Sequence, residues 1–296
     1  MNITTIVTHP GPAHRDDFVS CCLLVATYEA KISRRKAKDS EMVDPEVLVL
    51  DQGGEHFPLK SNYDHHQFER EHAPACSISL ILPLLGISEA DAQAIWAWFE
   101  FTEVLDSKGP FVAASSIGVS PEGLNETHSP VEAAMLGWFS EYTEISPDSA
   151  IWRPLLEIGR CLLGQMEKEL ERLQTLRDSA ERHDIEGVAI LDVRCIAGDN
   201  NPQLGIETFI GVENVAVVSN DDRGSHLWLK NQVAVVVSND DRGDGIALFR
   251  RKDDPRVDFS KIEGMGGVIF AHKGGFIAKL EAGVDPLPLI AKSLTS

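Results

Sequence analysis

The opening segment constrains this chain most. In NITTIVTHPGPAHRDDFVSCCLLVATYEA a short apolar run stops at His9, a Pro/Gly loop carries polar residues, and a helical pattern follows. Asp16 and Asp17 fall in the first turn of that helix, where the dipole favours anions. A second apolar run, EVLVLDQGG, ends in the same manner at Asp51 and two glycines. Strands alternating with helices imply an α/β sheet, and in such sheets ligands bind beyond the carboxyl ends of the strands. Both loops are therefore expected at one rim.

Further along, CSISLILPLLG and SEADAQAIWAWFEFTEVLDSKGP read as helical, the second from a Ser-x-x-Asp cap to Asp106 before a Gly-Pro stop. SPDSAIWRPLLEIGRCLLGQMEKELERLQTLRDSAERHD keeps helical spacing throughout, as one long helix or two joined ones, and closes a first domain of residues 1–183. A second domain, residues 184–296, opens on the strand-like GVAILDV. It contains a near repeat, VAVVSNDDRGSHLWLK followed by VAVVVSNDDRGDGIALFR, each an apolar strand, a polar turn and another strand; a duplicated β-hairpin is the economical reading. The acidic turn DDRGDG fails as a calcium loop, because Arg242 and Arg251 occupy positions that need oxygen ligands.

Composition narrows the function. With 296 residues, 43% of them hydrophobic, the chain suits two packed domains. A formal net charge of −19 argues against coating long duplex DNA, an affinity that comes from basic residues displacing counterions, but leaves a short nucleic acid or a small phosphorylated substrate open. The five cysteines include no CxxC pair and fit reduced thiols, with Cys21 and Cys22 as core filling. No apolar run approaches membrane-spanning length and the first residues lack a signal-peptide pattern, so a cytoplasmic protein without a membrane partner is expected. Oligomeric state stays open, a homo-oligomer included.

Four separated segments bring metal-ligand residue types to the end of an apolar run or helix. They supply His9, His14 and Asp16; Asp51; Asp64, His65 and His66; and Asp106. Imidazole and carboxylate donors without thiolate suit manganese, iron, zinc or cobalt, and a bridging carboxylate would create a two-metal site that activates a shared water and holds a phosphoryl oxygen. Taken singly, a histidine is more often a hydrogen-bonded or surface residue, and Asp51 before Gly-Gly is an ordinary turn former. On a strand, neighbouring side chains point to opposite faces, so His65 and His66 cannot both serve one core face.

The DHH motif at Asp64, His65 and His66, with the His-rich opening and the isolated Asp51 and Asp106, resembles the DHH phosphoesterase superfamily. That superfamily includes RecJ-like exonucleases, nanoRNases, exopolyphosphatases and family II pyrophosphatases. THPGPAHRDD, DQGG, YDHHQ and LDSKG look most like the melanocyte-proliferating-gene family, which is associated with 3′ to 5′ RNA exonuclease activity. The resemblance is strong through LDSKG and weaker in IFAHKGGFIAKLEA, which is similar to the family's closing His-x-x-Gly-Phe segment. It implies an N-terminal doubly wound parallel sheet, the DHH-type domain, and a smaller C-terminal α+β domain forming a cleft with it. It also implies two divalent metal ions, with manganese expected and magnesium, cobalt or zinc as substitutes. By motif, His9, His14 and Asp51 would hold one ion, and Asp51 would bridge to another held by Asp16, His65 and Asp106. Asp64 would orient a histidine, and His66 would face the scissile phosphate. Arg250, Arg251 and His272, with the Gly274–Gly275 turn offering amides, would grip the far end of the substrate. Two departures stand out: superfamily members commonly have an aspartate at the position of His14, and a Gly-Gly-Gly-His segment where this chain has GMGGVIFAHKGG.

The expected reaction is metal-dependent hydrolysis of a phosphodiester, by release of nucleotides from the 3′ end of RNA or short oligonucleotides. A pyrophosphatase or exopolyphosphatase is the enzymatic alternative: FRRKDD is similar to the basic cluster of family II pyrophosphatases, although the spacing after His9 is one residue longer than in that family. A phosphoryl-ligand-binding protein without turnover is the alternative outside catalysis.

Overall fold

The computed structural model describes residues 2–126, 129–195 and 233–295. Two compact units, Met1–Glu167 and Lys168–Ser296, divide the chain within a long helix, upstream of the expected boundary after His183.

In the first unit the opening segment folds as β1 (Thr5–Thr8), α1 (Arg15–Tyr28) and β2 (Lys31–Arg34), followed by β3 (Val47–Leu50), β4 (His56–Phe57) and β5 (Asn62–Tyr63). Seven helices follow: α2 (Ser77–Ile81), α3 (Glu89–Ile95), α4 (Phe99–Lys108), α5 (Pro110–Ser116), α6 (Pro121–Glu126), α7 (Pro130–Ser140) and, after the short strand β6 (Glu144–Ile145), α8 (Trp152–Ser179). The sheet order is β4-β5-β3-β1-β2-β6. The inner strands β5, β3, β1 and β2 are parallel, whereas the edge strands β4 and β6 are antiparallel.

The inner strands are apolar because both sheet faces are covered, as in parallel sheets generally. Ile6, Leu48, Val49 and Leu50 are fully buried, and Val7, Val47 and Val49 pack with Ala37 and Met42. Cys21 and Cys22 are buried free thiols in α1, as expected of core filling. Against α1 lies α8, so closely that a Cβ at Gly159 would sit 2.0 Å from the Cys22 carbonyl oxygen. Strand order reverses beside β1, with β2 on one side and β3 on the other. Thr8 and Leu50 are register partners, so the residues that follow them, His9 and Asp51, leave the sheet side by side at its carboxyl rim.

Two local readings change. The helix expected from Ser88 to Asp106 breaks at Trp96–Trp98, and the break leaves Trp96 and Phe99 buried. The expected Gly-Pro stop holds, since α4 ends at Lys108, and Pro110 also opens the next helix as the first residue of α5, where its missing N–H costs no hydrogen bond. ERHDI, expected as a helix end, is β7 (Glu181–Ile185) and pairs with β8 (Val188–Asp192) across a two-residue turn. Glu186 and Gly187 both have positive φ, 53° and 78°, as a tight hairpin of this kind requires.

The second unit's sheet runs β11-β12-β10-β9-β8-β7, where β9 is Val233–Asn239, β10 Ile246–Arg250, β11 Val268–Ala271 and β12 Ile277–Leu280. Among the described residues, only the β8–β9 pair of this sheet is parallel. A last helix, α9 (Leu287–Ser293), packs Leu289 and Ile290 into a core with Val235, Val237, Leu248, Phe259 and Ala278. The second copy of the near repeat is a hairpin of β9 and β10, and Lys279 ties down its acidic turn by ion pairs to Asp240 and Asp241. The first copy lies outside the described residues. Among the described residues no single helix is long and apolar enough to cross a membrane.

Candidate metal centre

Three loops and the last turn of a helix converge at the carboxyl rim of the first sheet. After β1, the chain turns through Gly11 to His14, which caps α1. The His14 amide donates to Asp17 Oδ1 at 2.7 Å, which holds the buried Asp17 carboxylate against the start of α1. After β3, Asp51 takes a left-handed φ of 54°, and its amide donates to the Tyr63 carbonyl at 2.8 Å. The segment after β5 supplies Asp64, His65 and His66, and the last turn of α4 supplies Asp106.

Donor atoms meet there in a chain. His9 Nε2 lies 3.5 Å from Asp17 Oδ2 and 3.4 Å from Asp51 Oδ2. His65 Nε2 lies 3.1 Å from Asp51 Oδ1 and 2.9 Å from Asp106 Oδ2. His14 Nδ1 lies 3.9 Å from the other Asp106 oxygen, and His14, Asp16 and Asp106 form one cluster of a size that holds a cation. Asp51, His65 and His66 form another. The structure thus brings together all six expected metal ligands, but divides them differently: His14 stands with Asp16 and Asp106, while His9 stands with Asp51 and Asp17. Capping α1 is what carries His14 to the Asp106 side.

The burial of these groups bears on whether they fit a cation. His9 Nε2, Asp16 Oδ1, Asp17 Oδ2, Asp51 Oδ1, His65 Nε2 and Asp106 Oδ2 are all buried and make no hydrogen bond of acceptable geometry. Buried polar atoms are ordinarily paired, so a convergent set of unpaired oxygens and imidazole nitrogens fits divalent metal. Electrostatics agree. Burial first, then the charges of Asp51 and Asp106, push the Asp16 carboxyl up to about 7 despite two hydrogen bonds from Ser77. Burial and the neighbouring Asp16 push Asp17 up to about 8. For His65, burial disfavours the charged ring, but its contacts with Asp106 and Asp51 outweigh that and raise it to about 10. A cation at this place would reverse the cost of crowding carboxylates.

Asp64 stands behind the cluster. Its Oδ1 accepts from the His66 ring Nδ1 at 2.7 Å and from the His66 amide at 3.1 Å, and its Oδ2 accepts from the Gly54 amide at 2.6 Å. Burial opposes ionisation, yet these hydrogen bonds hold its carboxyl below the ordinary range. His66 itself is exposed.

Two members escape the sequence motifs. Asp17 is readable in principle, three residues after a polar cap, but by pattern alone it is only a first-turn acid. Arg34 carries no signal beyond its place at the end of β2. It is buried, donates to the Gly11 and Phe139 carbonyls at 3.0 and 3.2 Å, packs over the Phe139 ring and lies 3.9 Å from Asp17 Oδ2.

In the second unit, His272, Gly274, Gly275 and Arg250 come together in one turn. The Gly274 amide donates to His272 Nδ1 at 2.9 Å and the Gly275 amide to the His272 carbonyl at 2.8 Å, so the two amides expected to meet an anion are engaged inside the turn. Arg250 donates to Asp253, to the Val257 carbonyl and to the Gly274 carbonyl. Arg251 begins a short 3-10 turn beside it. Glu181, His183 and Asp192 also approach one another, but Arg194 grips Asp192 in a fork.

Fold and site define a class: an α/β chain with a parallel-rich first sheet, a second sheet-containing unit, and a buried carboxylate–imidazole cluster at the reversal point of the first sheet. Residues 5–80 match the family model MYG1_exonuc, described as Uncharacterised protein family (UPF0160), in agreement with the DHH-type resemblance of the motifs. The matched stretch contains every expected metal ligand except Asp106. No curated protein matches. Among solved structures, RecJ from Thermus thermophilus in complex with Mn2+ aligns at 12% identity and a TM-score of 0.26, covering 97% of this chain and 50% of that one. The same protein in complex with Mg2+ aligns at 12% identity and a TM-score of 0.23, covering 96% and 47%. This chain therefore spans about half the length of the RecJ chains it matches.

Proposed function

We propose that this protein is a divalent-metal-dependent phosphodiesterase that releases nucleotides from the 3′ end of RNA or short oligonucleotides. The observation that carries the reading is the set of buried, unpaired carboxylate oxygens and imidazole nitrogens at the sheet rim. The matched family's name, an exonuclease, supports the choice of substrate class.

His9, Asp17, Asp51, His65, Asp106, Asp16 and His14 would hold two ions, manganese first among the candidates. Such a pair supplies Lewis acidity toward a phosphoryl oxygen and lowers the pKa of a water. The chain's own residues do the rest. Asp51 and Asp106, each facing His65 Nε2, fix the ligand geometry from a loop and from the last turn of α4, and Ser77 holds Asp16 in place through its amide and hydroxyl. Asp64 holds a proton at His66 Nδ1, so the exposed ring would act as an acid in its doubly protonated form, giving its Nε2 proton to the leaving oxygen and remaining as the Nδ1–H tautomer. In the second unit, His272 Nδ1 accepts from the Gly274 amide, so a ring proton available to a ligand would sit on Nε2.

The test compares metal-stripped protein with and without Mn2+ on an RNA pentamer, pyrophosphate and polyphosphate. Manganese-dependent mononucleotide release is the expected result. Phosphate release from the inorganic substrates alone would replace the reading by a pyrophosphatase, and bound metal with no turnover by a phosphoryl-binding protein.

A further inference from the structure

Two cavities adjoin the candidate metal centre, both of them including His14 and Asp106, and their chemistry differs. One, of about 260 Å3, is polar: beyond His65 and His66 it is lined by Glu69, Arg70, His72 and Lys108. The other, of about 480 Å3, has apolar walls from Ala13, Leu105, Pro110, Ala133 and Leu136. Its polar edge is formed by Arg15, Thr102 and Glu132.

We propose that the larger cavity receives one unstacked nucleobase of the nucleotide whose phosphate lies at the metal centre. The inference rests on the phosphodiesterase reading and narrows it to nucleotide substrates. A hydrated phosphoanhydride gains nothing from apolar walls and would lose solvation against them. A base has apolar faces to bury, and the cavity falls within the range of about 300–1,000 Å3 typical of small-ligand sites. Because the cavity is continuous with Asp16 and Asp106, a group seated there remains attached to a phosphate at the ligands.

The polar edge sets how the base is read. Arg15 grips Glu132 through Nε and Nη2, reaches Thr102 Oγ1 through Nη1 at 3.4 Å, and lies 6.0 Å from the centre of the Phe101 ring. Thr102 in turn donates to the Trp98 carbonyl. These groups satisfy one another, so few donors remain for base edges, while a guanidinium held in one place offers a flat surface of the kind on which bases stack. Base identity therefore matters little, whereas the presence of a base matters much, as is usual for stacking platforms.

Ala133 lies at the wall with its side chain exposed, so Ala133→Trp fills the cavity without disturbing the core; Leu136→Phe is the second variant, and thermal melting checks both. The Mn2+-loaded full chain is assayed on an RNA pentamer and on the same pentamer with abasic residues at both ends, and a 2-aminopurine nucleotide is titrated by fluorescence. The intact pentamer should be cleaved at least tenfold more efficiently than the abasic one, with similar rates for all four terminal bases. Ala133→Trp should lower the intact rate to the abasic rate and abolish nucleotide quenching. Equal cleavage of both pentamers by the parent chain would overturn the base pocket and leave the phosphodiesterase standing. Quenching that is lost in Ala133→Trp without any cleavage would keep the pocket and remove the enzymatic reading. Pyrophosphate hydrolysis with neither cleavage nor quenching would remove both.

Discussion

Asp51 combines two demands that no other side chain meets as well. Its φ of 54° is a conformation that glycine adopts freely and that Asp tolerates better than most, while its two oxygens face His9 and His65. Asp51→Gly should therefore separate folding from function: glycine takes the left-handed φ without strain and the chain still melts cooperatively, while metal content and turnover are lost together. Calorimetry and elemental analysis of one preparation decide it, and full metal retention would remove Asp51 from the centre. Asp64 belongs to a different experiment. It touches His66 and Gly54 rather than any of the six expected metal ligands, so Asp64→Asn should keep bound metal and lower kcat by roughly 10- to 100-fold, the usual loss when a carboxylate behind a working imidazole is altered. A change in the pH profile of kcat, with KM nearly constant, distinguishes this from simple unfolding. Legibility at this scale follows side-chain chemistry: His9, Asp51 and His65 announce themselves as ligand types ending apolar runs, whereas Arg34 acts through a fold that brings Gly11 and Phe139 to it, and no local pattern encodes that.

Among the elements, the crossing of α1 and α8 tolerates least. With the Cys22 carbonyl 2.0 Å from a Cβ at position 159, Gly159→Ala forces the helices apart. Overpacking of this sort costs about 1–3 kcal/mol, read as a lower urea midpoint at unchanged slope. Because α1 carries Asp16 and Asp17, reduced metal affinity should accompany it. Short elements are legible where one pattern dominates: β1, β3 and α1 stand where periodicity puts them. Misreadings arise where two patterns overlap. Between Ser88 and Asp106 the apolar residues surround the helix instead of striping it, and only tertiary burial of Trp96 decides where it breaks. At ERHDI, the partner strand and the turn at Glu186 and Gly187 outweigh the helical run before it.

For the whole molecule, the clearest expectation concerns pH. Asp16 and Asp17, raised to about 7 and about 8, are protonated more readily in the folded chain than in the unfolded one. Their contribution is present in full below the ordinary carboxylate value near 4 and is lost as pH rises through 7 and 8. His65, raised to about 10, acts in the same sense: its contribution is intact below about 6.5 and fades toward 10. Metal-free protein should thus melt at progressively lower temperature from pH 6 to pH 9, and Asp17→Asn should flatten that slope. Divalent metal should add about 2.7 kcal/mol at a hundredfold excess over its Kd, and at one fixed metal concentration the gain should be larger at pH 8 than at pH 6 because fewer protons must leave. A melting temperature that rises with pH in the metal-free protein would contradict these electrostatics.

Arg34 gives the loop after β1 a permanent tether. Its guanidinium is buried, faces Asp17 and holds the Gly11 carbonyl, so the loop has an anchor of its own charge whatever else fills the rim. The consequence is kinetic. Ions would enter a receptor already shaped for them, and loading would be limited by how fast each ion sheds its hydration shell, following the order of water-exchange rates among the metals rather than any rearrangement of the chain.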